Sequence, residues 1–185
     1  MSGPVRVVVL TVSDRCSRGE TVDTSGPALS AMARDRLGAA IVHAECLPDE
    51  MDQLAEFFAR WSDPAQRVDL ILATGGTGLA PRDITPEALR RVLHREHAGL
   101  MELARLRCFG KTARTYLSRG IAGTIHRTLV LTLPGSPRGC TEMLEALLDI
   151  LPHEIETLRG EVQDDGRPDA PGAGGVGGKV IRHVD

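Results

Sequence analysis

The sequence predicts an α/β domain whose mostly parallel sheet lies between layers of helix. Two observations carry this. The runs "VRVVVLTVS" (5–13) and "VDLILAT" (68–74) are short, β-branched and almost continuously apolar, as strands buried on both faces must be. Segments with helical spacing of apolar residues stand between the strand candidates, so the two types alternate. At 185 residues and 42% hydrophobic content the chain suits one domain. That size buries roughly 70% of the surface its unfolded chain exposes, with no need of metal or disulfide staples. Aromatics are only 3% of residues, so Leu, Val, Ile and Ala must fill the core.

In order along the chain, Val5 to Ser13 is the first strand. "SGPALSAMARDRLG" follows as a helix with Pro27 in its first turn, Gly38 just past its end and an apolar stripe of Leu29, Met32, Ala33 and Leu37. Ala40 to Pro48 is the second strand. "DEMDQLAEFFARW" spaces Met51, Leu54, Phe57, Phe58 and Trp61 as a core-facing helix stripe. Val68 to Thr74 is the third strand. "TPEALRRVLHRE" reads as a helix with Thr85 as N-cap and Pro86 at its first position. "GLMELARLRC" is a further helix. "IAGTIHRTLVLTLPG" (121–135) holds one or two strands, and "CTEMLEALLDILPHEIETL" is helix, bent or split by Pro152. The domain is placed at 1–159. Residues 160–185 carry "GRPDAPGAGGVGG", with six glycines and two prolines in thirteen residues, and are read as a disordered tail.

Composition narrows the function. A net charge of −3 gives no general drive toward nucleic acid or anionic membrane. Cysteines at 16, 46, 108 and 140 form no C-x-x-C pair, so neither a disulfide framework nor a zinc signature is indicated, and buried reduced thiols are expected. The first residues lack the basic start and cleavage site of a signal peptide, so a cytoplasmic protein is expected. "GAGGVG" at 172–177 matches G-x-G-x-x-G, but no strand precedes it and only eight residues follow. It is no dinucleotide fingerprint. No Walker A sequence, H-E-x-x-H or G-x-S-x-G occurs, which argues against P-loop, zinc-protease and α/β-hydrolase chemistry.

The chemistry gathers at strand ends, where open α/β sheets bind ligands. "TGGTG" (74–78) ends a strand. Its glycines allow backbone N–H groups to converge on an anion, and a tight turn fits the same residues. "PRD" places Asp83 shortly after. With Thr85 available as cap, Asp83 is free for a cation beside a phosphate, as Mg²⁺ takes one or two carboxylates plus substrate phosphates. Asp49 of "LPDE" ends the second strand, where it either caps the next helix or joins Asp83 at the sheet edge. Ser13 and Asp14 of "TVSDR" either bond a ligand or form a turn. "DTSGP" leads into a helix N-terminus, which favours anions, and "LPGSP" follows the last strong strand.

Taken together, "TVSDR", "DTSGP", "LPDE", "TGGTGLAPRDITPEA", "LSRGIAG" and "LPGSP" resemble, in order, the motifs of the MogA/MoaB family, the molybdopterin adenylyltransferases. The resemblance runs from about Val7 to Arg159. It implies a three-layer α/β/α sandwich of molybdopterin-binding-domain type, usually a homotrimer, that moves AMP from ATP to the terminal phosphate of molybdopterin with Mg²⁺ and releases pyrophosphate. On this resemblance Asp49 and Asp83 match the critical acids, both catalytic and metal-binding. Gly75, Gly76, Thr77 and Gly78 match the phosphate loop. Ser13 and Asp14, Ser118 and Arg119, and Gly135, Ser136 and Pro137 match further ligand-binding motifs, and Arg82 stands beside them as a cation for phosphate. Contact with other cofactor-synthesis proteins is compatible with such a role. A pterin-binding paralogue that holds its ligand without transferring AMP is the alternative, and a third reading makes the tail a recruiter of partners.

Overall fold

In the computed structural model, residues 3–161 are described. Seven residues, Arg6–Val12, form β1. Their β-branched side chains alternate between two cores: Val7 and Val9 enter one, Val8, Leu10 and Val12 the other. That is the two-faced burial which a continuous apolar run demands. The other strands are β2 (Ala40–Leu47), β3 (Leu70–Thr74), β4 (Arg95–Glu96), β5 (Ala122–Ile125) and β6 (Thr128–Leu133). They form one sheet in the order β2-β1-β3-β6-β5-β4. The first four neighbours run parallel, and β5 and β4 are antiparallel additions.

Helices cover both faces. Against one lie α2 (Ser25–Leu37), α5 (Ala98–Phe109), α6 (Pro137–Glu145) and α7 (Leu151–Arg159), through Leu29, Met101, Met143 and Ile155 among others. Against the other lie α3 (Met51–Trp61) and α4 (Thr85–Arg90), through Leu54, Phe57, Phe58 and Leu89. A short α1 (Asp14–Ser17) sits directly after β1. The three-layer α/β/α sandwich with a mostly parallel sheet is therefore the observed architecture. Gly38 closes α2 in the left-handed region at φ 59°, where glycine carries no Cβ penalty. The last helical stretch is split in two, α6 ending at Glu145 and Pro152 lying in the first turn of α7.

Three expectations are corrected. The helix from Thr85 ends at Arg90, because Arg95 and Glu96 leave it to pair with Thr124 and Gly123 as the edge strand β4. Thr85 is not the N-cap. Ile84 holds that position, while Thr85 is fully buried and its hydroxyl donates to the Gly75 carbonyl at 2.9 Å. Of the four cysteines, all reduced, only Cys108 and Cys140 are buried; Cys16 and Cys46 are half-exposed. Burial pushes the Cys140 thiol up to about 11 and the Cys46 thiol, which also neighbours Cys16, up to about 12. The tail from 162 onward, including "GAGGVG", lies outside the described residues. Among the described residues no helix is long and apolar enough to cross a membrane.

Candidate functional site

Four parallel strands release their chains at one edge of the sheet, and the loops there enclose a cleft of about 330 Å³. Asp49, Gly75, Gly76, Asp83, Ser13, Gly135 and Pro137 all line it. Asp49 and Asp83 thus reach one site, although β2 and β3, which precede them, are not neighbours: β1 lies between them.

The glycine loop is built by close approach. Gly75 has φ 100° and Gly76 φ 59°, conformations that L side chains rarely adopt. A Cβ on Gly75 would collide with the Val12 carbonyl, and one on Gly76 would stand 2.6 Å from Asp49 Oδ1. The loop is pinned from behind. Gly75 N donates to Leu133 O (3.2 Å), Thr74 Oγ1 to Pro134 O (2.6 Å) and Thr85 N to Gly76 O (3.0 Å). Among the described residues, the amides of Gly76, Thr77 and Gly78 donate to no protein acceptor; of the three residues, Gly76 lines the cleft.

Asp49 does not cap α3; Glu50 holds that position. Instead Asp49 and Asp14 exchange amide-to-carboxylate bonds: Asp14 N donates to Asp49 Oδ2 at 3.2 Å, and Asp49 N to Asp14 Oδ1 at 3.1 Å. Asp49 is 8% exposed, and its Oδ1 is buried with no hydrogen-bond partner among the described residues. Burial raises its carboxyl above the ordinary range. The Asp14 amide opposes this, and the negative charges of Asp14 and Asp83 add to it. A buried acid with one unsatisfied oxygen is costly unless a ligand completes it. The second acid, Asp83, accepts from Ala80 N through Oδ2 at 2.8 Å.

The two arginines have protein partners. Arg82 Nη2 donates to Asp14 Oδ1 and to Glu50 Oε1, each at 2.8 Å, and its Nε donates to Asp14 Oδ2 at 3.0 Å. This pairing holds the Asp14 carboxyl below the usual range. Arg119 donates from Nε to Gly78 O and from Nη2 to Asp83 O, both at 2.6 Å, and its Nη1 pairs with Glu87 Oε1. Ser118 Oγ donates to Thr77 Oγ1 at 3.0 Å. Ser13 caps α1 by accepting from Cys16 N, and Ser136 caps α6 by accepting from Gly139 N. The first amides of α2 are not free for an anion, because Asp23 Oδ1 takes those of Ser25 and Gly26.

Sequence reasoning passed over Ser25, whose hydroxyl donates to Gly135 O at 2.7 Å across 110 positions, and Glu87. The first stands within "DTSGP", quoted only as a motif and helix start. The second stands within "TPEA", quoted only as a motif. A second cleft of about 430 Å³ lies against the Pro134–Ser136 segment, lined in part by Lys111, Arg114, Thr115 and Arg138.

As a metal site, the cleft offers hard carboxylate oxygens, one of them buried and orphaned. Among the described residues no group of three or more His, Cys, Asp or Glu converges. The donor set fits Mg²⁺ provided that ligand oxygens complete it.

Comparison with known proteins agrees with the motifs. A family profile described as "Probable molybdopterin binding domain" matches residues 8–153. Molybdopterin adenylyltransferase of Helicobacter pylori is 35% identical over 157 residues, 84% of this chain and 89% of that protein. The molybdenum cofactor synthesis protein cinnamon of Drosophila melanogaster is 37% identical over 154 residues, but this chain, matched over 83% of its length, spans only 26% of that protein. Among solved structures, the molybdopterin biosynthesis enzyme MoaB of Thermus thermophilus superposes with a TM-score of 0.79 at 47% identity, covering 84% of this chain and 97% of that one. The Mog protein of Mycobacterium ulcerans gives 0.77 at 29%, covering 86% and 99%. Sequence, fold and site geometry coincide: the chain belongs to the MogA/MoaB family of molybdopterin-binding domains.

Proposed function

We propose that this chain acts in molybdenum cofactor biosynthesis as a molybdopterin adenylyltransferase, joining AMP from ATP to the terminal phosphate of molybdopterin and releasing pyrophosphate. The observation that carries the reading is the meeting of Asp49, with its buried unpartnered oxygen, and Asp83 beside Gly75 and Gly76 in one cleft. The relative named molybdopterin adenylyltransferase supports it along nearly its full length.

Both substrates are anionic and repel each other, so positioning and charge neutralisation dominate the chemistry. The amides of Gly76, Thr77 and Gly78 receive phosphate oxygens. Asp49 and Asp83 would hold Mg²⁺, which when bound supplies positive charge to the polyphosphate. Neither acid has to remove a proton, because a phosphate monoester is largely ionised at neutral pH. The second cleft, with Lys111, Arg114 and Arg138, suits the other anionic partner, and the Gly135–Pro137 turn stands between the two. ATP and Mg²⁺ make the cytoplasm the fitting compartment.

We also propose a homotrimer. Leu106, Phe109, Tyr116 and Leu117 are each more than half exposed on α5 and the following 3-10 turn, an apolar face suited to burial against another copy.

The test is turnover. Purified protein given molybdopterin, ATP and Mg²⁺ releases pyrophosphate, and Asp49→Asn and Asp83→Asn each lose that activity. Unchanged rates in both variants would sink the assignment of the acids. Pterin binding without transfer in the parent would make the chain a carrier instead.

A further inference from the structure

Arg119 is occupied on all three guanidinium nitrogens. Nε takes Gly78 O and Nη2 takes Asp83 O, the two ends of the 78–83 loop, while Nη1 pairs with Glu87 on α4. The backbone adds to this, since Arg119 N donates to Thr77 O at 2.8 Å. One planar cation therefore closes the loop and ties it to a helix. Among the described residues Glu87 makes no other side-chain hydrogen bond: its Oε2 is buried without a partner. Between the tied ends, Asp83 has one carboxylate oxygen bonded to Ala80 N and lines the cleft.

We propose that Glu87 and Arg119 are positioning residues, a latch that holds the Asp83 carboxylate at the cleft, and that Arg119 is not a ligand of substrate phosphate. The role of Asp83 rests on the adenylyltransferase reading, whereas the latch rests on the contacts above. The two roles for Arg119 predict opposite responses. Glu87→Gln removes the charge that restrains the guanidinium. A phosphate-binding arginine would then be released and would bind nucleotide equally well or better, whereas a latch would loosen. Arg119→Lys keeps the charge but cannot span three acceptors in a plane.

Both variants are made in the full chain. Amide exchange over 78–83 is followed by mass spectrometry without ligand, Mn²⁺ binding by electron paramagnetic resonance, and transfer by kcat and KM. Glu87→Gln is isosteric on a partly exposed helix, so it keeps the test available if Arg119→Lys fails to fold. The latch predicts faster exchange in both variants, a loss of about 10–100-fold in Mn²⁺ affinity and kcat, and an unchanged KM for molybdopterin. Parental exchange and Mn²⁺ affinity, with a raised KM for ATP in Arg119→Lys alone, would overturn it and return Arg119 to the phosphate. If the parent protein transfers nothing, the adenylyltransferase reading fails, and the exchange and Mn²⁺ measurements still decide the latch.

Discussion

Asp49 and Asp14 are joined by two amide-to-carboxylate bonds, yet their carboxyls shift in opposite directions. Burial raises Asp49, so the folded chain holds its proton more tightly than the unfolded chain does. Its charged form therefore subtracts stability at neutral pH, and that cost fades as pH falls through the raised folded value. Asp14 is lowered by Arg82; its stabilisation is complete above the ordinary aspartate value and is lost as pH falls through the depressed one. Asp49→Asn keeps an acceptor for the Asp14 amide and removes the buried charge. Its melting temperature at pH 7 is expected to equal or exceed the parent's, with the gap closing toward about pH 4, while transfer activity disappears. A lower melting temperature at pH 7 would contradict this. The candidate acids themselves were legible in the sequence, because Asp49 directly follows an apolar strand and Asp83 stands shortly after the glycine loop that ends another. The ties of Arg82 and Arg119 were not. Each meets partners about 30 to 70 positions away, and no local pattern records such contacts.

The glycine loop shows what an element adds to its residues. Its shape depends on three neighbours: Val12 at the end of β1, Leu133 at the end of β6 and Thr85 at the start of α4. Gly76→Ala forces a Cβ at φ 59° against Thr85 Oγ1 and Asp49 Oδ1. We expect it to destabilise the fold by about 1–3 kcal/mol and to abolish transfer, measured by urea denaturation and pyrophosphate release. A stability loss of only a few tenths, with activity intact, would show that the loop yields. Strands β1 and β3 were readable because burial on both faces leaves no polar alternation. The true end of α4 was not: "RRVLHRE" keeps helical composition, and only the antiparallel partner β5 draws Arg95 and Glu96 out of it. Thr85 misled for a related reason. A Thr-Pro start looks like a cap, whereas the buried hydroxyl serves the loop ten positions earlier.

Across the whole molecule, alternation of strand and helix was enough to give the architecture, but not the order of strands. Placing β1 between β2 and β3 depends on long-range pairing, and it sets Asp49 and Asp83 one strand further apart than chain order suggests. The exposed face formed by Leu106, Phe109, Tyr116 and Leu117 was equally hidden, since apolar residues on a helix normally read as core. If the proposed trimer forms, Leu117→Glu is expected to convert it to monomer in sedimentation velocity; a parent that sediments as a monomer would refute the assembly. The order of strands also bears on how the chain acquires its shape. β6 enters between β3 and β5, and the cleft closes through Thr74 with Pro134 and Ser25 with Gly135, contacts 60 and 110 positions apart. Such distant closures are entropically late. A nascent chain that has emerged only as far as β5 has both acids and all the loop glycines, but no pocket; the binding surface is born with the final strand.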